Sequence, residues 1–212
     1  IDNYEGYTVY FEQSTGGFAR NRIWHNEGYG GLLVSYGGTG FSCPVSNYLD
    51  VTNNFIAANG NDQLLIYGIS ASPACVNVTH NTIDNGQYGI DLDNTFTVNI
   101  INNIISNQTS YGIINASSVS TPVVDHNLYY NNSSGNSLGF TGTNDLEGDP
   151  KYISQVIGDY HIWCNSPARD AGNAGVGITV DIDGQTRPIG SGFEIGADEC
   201  TPLFYLPLII RN

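Results

Sequence analysis

The stretch of sequence that decides the fold runs from Val76 to Asn115 and reads VNVTHNTIDNGQYGIDLDNTFTVNIINNIISNQTSYGIIN. Short segments rich in Val and Ile alternate in it with Asn and Gly. A unit that begins with Asn and has an apolar residue two positions later recurs through the chain. Its leading asparagines are Asn21, Asn54, Asn81, Asn103 and Asn127, at intervals of 33, 27, 22 and 24 residues. The chain is therefore built from repeats.

Apolar residues occupy fixed offsets within these repeats. Three residues before each leading Asn stands Phe18, Val51, Val78, Ile100 or Val124, and two residues after it stands Ile23, Ile56, Ile83, Ile105 or Tyr129. A short β-branched segment can bury its apolar side only by stacking on the next coil, and no sustained 3.6-residue pattern supports helical repeats. The pattern predicts an all-β protein, a single-stranded parallel β-helix with one coil per repeat.

The leading asparagines suit the corners of such a coil. Asn tolerates left-handed backbone angles, and its amide can hydrogen-bond to the same residue of the next coil, about 4.8 Å away. We therefore expect one inward-turned structural column formed by Asn21, Asn54, Asn81, Asn103 and Asn127.

These units resemble those of right-handed parallel β-helix proteins of the pectate-lyase-like type, over roughly residues 15 to 135. The segment from Asp149 to Glu199 is similar to the closing segment of many secreted bacterial β-helix proteins of unassigned function. The resemblance implies right-handed coils in residues 1–145, a non-repeating closing segment in 146–200 and an apolar tail in 201–212.

Charge excludes some partners. Six basic residues against twenty acidic ones give a net charge of −14, which leaves no basic cluster for nucleic acid or for an anionic membrane surface. The longest apolar run, Leu203 to Ile210, is interrupted by Pro207 and is too short for membrane insertion. Polysaccharide and cations remain as candidate ligands.

The four cysteines indicate disulfides rather than a metal site, because they form no C-x-x-C pair and have no histidines at zinc-site spacing. We expect Cys43 to pair with Cys75 one coil away and Cys164 with Cys200, with two other pairings left open. Disulfides predict a secreted protein, extracellular or at the cell surface. Since the sequence starts at Ile1 without Met, we also expect that a leader or upstream segment was removed.

Asp91 and Asp93 are the candidate site residues. Their spacing puts both carboxylates on one face of a strand about 7 Å apart, which suits a solvated acidic face, a calcium site or an inverting glycosidase pair. The solvated face is the leading interpretation. No Arg or Lys lies between Arg22 and Lys151 to serve as the base of a polysaccharide lyase, and the signatures of the related pectin hydrolases are absent. We expect no cofactor, calcium being the one candidate.

Other residues receive structural interpretations. His80 and His126 should lie in one column about 10 Å apart, too far to share a metal ion. Tyr67, Tyr88 and Tyr111 precede glycines at places that look equivalent, which predicts an aromatic stack, with sugar binding as the alternative. The run Asp181-Ile182-Asp183-Gly184 resembles half of a calcium loop, but we expect a turn in which Arg187 reaches back to a carboxylate. His161 has no partner that the sequence identifies.

The sequence favours a non-catalytic extracellular structural or adhesive protein over the alternative, a carbohydrate-active or carbohydrate-binding β-helix. No amphipathic helix covers the first coil, and the last residues form an apolar, strand-prone tail that could add to a neighbouring molecule. We expect end-to-end self-association into a filament, with a tail folded back on its own coil as the alternative. The tail residues are Phe204, Tyr205, Leu206, Leu208, Ile209 and Ile210.

Overall fold

A computed structural model describes residues 6–12, 16–26, 28–36, 48–68, 75–93, 97–115 and 122–201. In these ranges the chain is almost entirely strands, with two 3-10 turns at Gln155–Ile157 and Ala174–Val176 as the helical elements. The strands stack in parallel into a β-solenoid, and a C-terminal segment lies outside the repeats. The predicted fold class is confirmed.

Three parallel sheets form the walls of the solenoid. Sheet A contains, in order of stacking, β1 (Tyr7–Glu12), β4 (Gly30–Tyr36), β7 (Asp62–Gly68), β10 (Tyr88–Asp93), β13 (Tyr111–Asn115) and β16 (Gly135–Leu138). Sheet B contains β2 (Gly16–Ala19), β5 (Leu49–Thr52), β8 (Cys75–Thr79), β11 (Thr97–Ile101) and β14 (Val123–Asp125). Sheet C contains β3 (Arg22–Trp24), β6 (Phe55–Ala57), β9 (Thr82–Asp84), β12 (Ile104–Ser106), β15 (Leu128–Tyr130) and β17 (Leu146–Glu147).

The core lies between the three sheets. The apolar residues three positions before the leading asparagines pair in register along sheet B, and those two positions after them pair in register along sheet C. From the second coil onward both rows are almost fully buried. The repeat therefore exists because each coil buries the apolar face of the next.

Two left-handed corners border each three-residue strand of sheet C. The first corner is the residue before the leading Asn, with φ between 51 and 60° at Arg20, Asn53, His80, Asn102, His126 and Asn144. The second has φ between 54 and 56° at His25, Ala58, Asn85, Asn107 and Asn131. The expectation that the leading asparagines themselves turn left-handed is thus wrong. The preceding residue makes the turn, which leaves the leading Asn free to point into the solenoid.

The leading asparagines are linked from coil to coil. The backbone N–H of Asn81 and its Nδ2 both donate to Oδ1 of Asn103, at 2.9 and 3.0 Å, and Asn103 donates in the same way to Asn127. From Asn54 onward each Nδ2 also donates to a backbone carbonyl of the coil before, that of Val51 for Asn81. Asp145 ends the column, since its Oδ1 accepts both donors of Asn127.

The C-terminal segment, residues 148–201, packs along the side of sheet C. Phe55, Ala57, Ile104 and Leu128 of that sheet bury their side chains against residues of the segment, among them Tyr160, Ile162, Ile182, Ile195 and Ala197. Within the segment β18 (Tyr152–Ser154) and β19 (Asp159–Ile162) form an antiparallel pair. The segment therefore adds a second layer to one wall of the solenoid.

Arg187 forms a buried ion pair within the segment and also links the segment to the coils. Arg187 Nη1 lies 2.7 Å from Oε1 of Glu199, both side chains being fully buried, and Arg187 Nη2 donates to Oδ1 of Asn53 and to the carbonyl of Gly196. Arg187 does therefore bind a carboxylate, although Glu199 lies outside the turn around Asp181.

No helix in the described ranges has the length and hydropathy needed to cross a bilayer.

Candidate functional site

Asp91 and Asp93 lie on the outer side of β10. Ile90 and Leu92, which alternate with them, are fully buried in the core, whereas both aspartates are half-buried. Period-two alternation places the two carboxylates on one face, about 7 Å apart. The two carboxylates therefore share the outer face of sheet A.

Asp91 has apolar neighbours on both adjacent strands. It is in register with Leu65 of β7 and with Ile114 of β13. Burial is the main cause that raises the pKa of Asp91 to about 7, and the negative charges of Asp62 and Asp93 add to it. Asp91 can therefore take up or release a proton near neutral pH.

Asp62 is a third carboxylate near this pair, and sequence reasoning missed it. It is 4 % exposed, and the hydroxyl of Tyr7 donates to its Oδ2 at 2.6 Å. Burial raises the pKa of Asp62, and the hydrogen bond from Tyr7 opposes that rise. Tyr7 reaches Asp62 across Gly30, where a Cβ atom would lie 2.3 Å from the tyrosine ring, so this arrangement requires glycine at position 30.

The tyrosines of sheet A do not form the predicted stack of three. Tyr88 is in register with Asp62, and Tyr111 follows one coil later, since Ile90 pairs with Ile113. Tyr67 is in register with Asp93 instead. The prediction was wrong because the Tyr-Gly pair ends β7 but begins β10, so similar dipeptides occupy different positions in their strands.

Carboxylates and phenol rings thus share one wall of the solenoid. We call this set the acidic tyrosine face and define it as Asp62, Tyr67, Tyr88, Asp91, Asp93 and Tyr111. All of these side chains except Asp62 are partly exposed. The face offers hydrogen-bond acceptors beside flat apolar rings. Such a set can bind sugar hydroxyls and sugar C–H groups, or a hard cation through its oxygens.

A family model described as disaggregatase related matches residues 74–181, just over half of the chain. This chain belongs to the disaggregatase-related family. The match includes Asp91 and Asp93, together with Tyr88 and Tyr111, and it ends within the C-terminal segment. No curated protein sequence matches the chain.

Two histidines of the disaggregatase-related chain occupy corners of the solenoid. His80 is fully buried, and its Nε2 lies 3.0 Å from Nδ2 of Asn102 on the next coil, where it can accept the amide proton. Burial holds the pKa of His80 well below its usual value, so this ring is neutral. Nδ1 of His126 lies 2.7 Å from Oδ2 of the adjacent Asp125. His80 therefore contacts the corner of the next coil, and His126 contacts the aspartate beside it.

In the disaggregatase-related chain the run from Asp181 to Gly184, which resembles half of a calcium loop, forms a closed turn. Oδ1 of Asp181 accepts the backbone N–H groups of Asp183 and Gln185, at 3.0 and 2.7 Å. Its Oδ2 accepts the N–H of Glu199 at 3.2 Å. The Asp181 carboxylate is therefore occupied by backbone donors, as expected of a turn.

One predicted disulfide of this family member is confirmed. Cys164 and Cys200 are bonded, with their Cα atoms 5.3 Å apart. Cys75 is also disulfide-bonded, whereas Cys43 lies outside the described residues, so the pairing of Cys43 with Cys75 stays a prediction. The tail residues 204–210 also lie outside them.

Proposed function

We propose that this disaggregatase-related protein is a non-catalytic extracellular adhesive module that binds polysaccharide through the acidic tyrosine face. The observation that carries the proposal is the common face of Asp91 and Asp93, with Tyr67 beside Asp93 and Tyr88 on the same strand. Carboxylates accept hydrogen bonds from sugar hydroxyls, and tyrosine rings pack on the C–H faces of sugars. A wall of stacked strands suits an extended polymer better than a small molecule.

Charge narrows the class of polysaccharide. The chain carries a net charge of −14, and three of its acidic residues belong to the face itself. An anionic polymer would be repelled unless divalent cations bridged it to the carboxylates. Neutral polymers and those that contain amino sugars are therefore the expected ligands.

An extracellular location is supported by the disulfide between Cys164 and Cys200, because such bonds persist in oxidising compartments. The family description, disaggregatase related, is compatible with a surface that binds the material between aggregated particles.

Affinity electrophoresis in gels that contain one polysaccharide each tests the proposal. We expect retardation by chitosan or by a neutral glucan or galactan, and by pectin only in the presence of Ca²⁺. Asp93→Asn and Tyr88→Ala should weaken the retardation about tenfold. The matched control is Glu147→Gln, which removes one exposed carboxylate from sheet C. A wild-type chain that no polysaccharide retards would contradict the proposal.

A second candidate function, hydrolysis of a glycosidic bond, is favoured by the raised pKa of Asp91, about 7. An inverting glycosidase needs one protonated carboxyl and one carboxylate about 6.5 to 9.5 Å apart. Asp91 would serve as the acid and Asp93 as the base that activates water. The resemblance of the repeats to pectate-lyase-like proteins supports this candidate.

The release of new reducing ends separates the two functions. Binding without release supports the adhesive module, whereas release that Asp91→Asn abolishes and Glu147→Gln preserves supports hydrolysis. If Asp91→Asn and Glu147→Gln both still release reducing ends, the reaction takes place outside this face.

The proposed function includes end-to-end self-association. The arrangement of the first coil supports this assembly. Strands β1, β2 and β3 are the first members of their sheets. Among the described residues, Val9, Phe11, Phe18 and Ile23 line a cavity of about 490 Å³ at this end. Apolar side chains beside the first described strand of each sheet form a surface to which the end of another solenoid can add.

A further inference from the structure

A histidine and three aspartates meet on the C-terminal segment, far in sequence from the acidic tyrosine face. His161 lies on β19, and its Nε2 is 2.7 Å from Oδ2 of Asp183. Three side chains each offer one ligand atom, and these three atoms lie within 4.8 Å of one another; the side chains are those of His161, Asp183 and Asp198. From these contacts we propose that His161, Asp183 and Asp198 bind a divalent transition-metal ion, of which Zn²⁺ is the natural probe.

The second nitrogen of His161 is held as in known metal sites. Nδ1 of the ring is hydrogen-bonded to Oδ1 of Asp159, two residues earlier on the same strand. A carboxylate on one nitrogen fixes the ring orientation and directs the other nitrogen to the metal. The ring also packs edge-on against Phe55 of β6, with centroids 5.3 Å apart. His161 is therefore oriented before any ion arrives.

The two carboxylates are positioned by the backbone and by one cation. Oδ2 of Asp198 accepts the N–H of Ile162 at 2.9 Å, which leaves its other oxygen for an ion. Oδ1 of Asp183 lies 3.3 Å from Nη2 of Arg22, while Oδ2 faces the histidine. With His161 neutral, three carboxylates and one guanidinium leave a net charge of −2, which one divalent ion neutralises.

The ligand set selects the class of metal. An imidazole nitrogen with two carboxylates suits Zn²⁺ and its neighbours in the first transition series, whereas Ca²⁺ takes oxygen ligands and more of them. A cavity of about 450 Å³ opens beside the ligands and is also lined by Trp163, Gln185 and Thr201. It gives the ion a path of entry and room for a water ligand.

The expected role of the ion is structural. Asp159 and His161 belong to β19, Asp183 to the closed turn at Asp181, and Asp198 to the residues before Cys200. One ion would tie these three parts together beside the disulfide. Polysaccharide binding does not enter the argument, so the two proposals can fail separately.

Isothermal titration of the chelator-treated full chain with Zn²⁺ tests the site. We expect one ion per chain, a raised melting temperature and no displacement by millimolar Ca²⁺. His161→Gln and Asp183→Asn should each lower the affinity at least tenfold, and Asp159→Asn should lower it less. The matched control is His126→Gln, which alters a histidine–aspartate pair outside this cluster.

Circular dichroism establishes which variants are folded. His161→Gln also removes the contacts to Asp159 and Asp183 and could unfold the segment, so Asp183→Asn, whose side chain is 39 % exposed, carries the test in that case. Absence of stoichiometric binding by the wild-type chain would overturn the proposal. Binding that a folded Asp183→Asn chain retains in full, or that His126→Gln removes, would overturn it equally.

Discussion

The hydroxyl of Tyr7 donates a 2.6 Å hydrogen bond to Oδ2 of Asp62, across the intervening strand β4 and 55 residues away in sequence. Both side chains are nearly fully buried. The bond ties the first coil to the third, and it satisfies a carboxylate that has lost most of its water. Because β1 is the first described strand of its sheet, this contact also fixes the first coil.

We predict that Tyr7→Phe destabilises the fold by about 1–3 kcal/mol, since it leaves a buried carboxyl without its donor. Chemical unfolding measures the change. The control is the same substitution in an Asp62→Asn background, where the loss should be clearly smaller. Equal losses in the two backgrounds would show that the bond contributes nothing.

The raised pKa of Asp91 predicts a pH dependence of stability. Between its usual value of 3.8 and about 7, Asp91 is protonated in the folded chain and ionised in the unfolded chain. Its contribution to the free energy of unfolding is therefore complete below the lower pKa and is lost as the pH rises to about 7. Relative to wild type, Asp91→Asn should become more stable as the pH increases from 4 to 8.

Unfolding titrations at several pH values, compared as differences from wild type, measure this dependence. Carboxyls that do not interact with Asp91 cancel in the difference. Glu147→Gln, which removes an exposed carboxylate, should show a nearly constant difference. A constant difference for Asp91→Asn as well would contradict the prediction.

Interrupting the asparagine column should be costly. Asn103→Ala removes the acceptor of two donors of Asn81 and the side-chain donor to Asn127, all of them buried, so we expect a loss of about 1–3 kcal/mol. Asn99→Ala is the matched control, because its half-buried amide donates to Asn77 on the side of sheet B. Thermal unfolding should rank Asn103→Ala well below Asn99→Ala, and the reverse order would count against the column.

Self-association should depend on the apolar cavity of the first coil. We expect light scattering to show a mass that rises with concentration for the full chain, and a monomer after Phe11→Asp, which places a charge in the cavity there. Val156→Asp is the control, because Val156 is 91 % exposed on the C-terminal segment. Comparison with a chain that ends at Thr201 shows whether the tail takes part. A wild-type chain that stays monomeric at high concentration would exclude end-to-end assembly.

The fold and the asparagine positions could be predicted because they follow from a repeating pattern. Apolar residues at fixed offsets from Asn81 and Asn103 must stack if either coil is to bury them, and adjacent coils then bring equivalent residues together. The same reasoning misplaced Tyr67, since a dipeptide pattern does not fix the register of a strand whose coil differs in length.

The sequence by itself determined the stacked coils and the outward placement of Asp91 and Asp93, and it favoured the bond between Cys164 and Cys200 without excluding the other pairings. Only the tertiary structure decided that Tyr7 meets Asp62, that apolar neighbours raise the pKa of Asp91, and that His161 meets Asp183 and Asp198. The physical reason is that periodicity specifies contacts between equivalent positions of neighbouring coils. The contact between Tyr7 and Asp62 skips one coil at Gly30, and the contacts of His161 lie in a segment without repeats. Both therefore depend on how the whole chain packs.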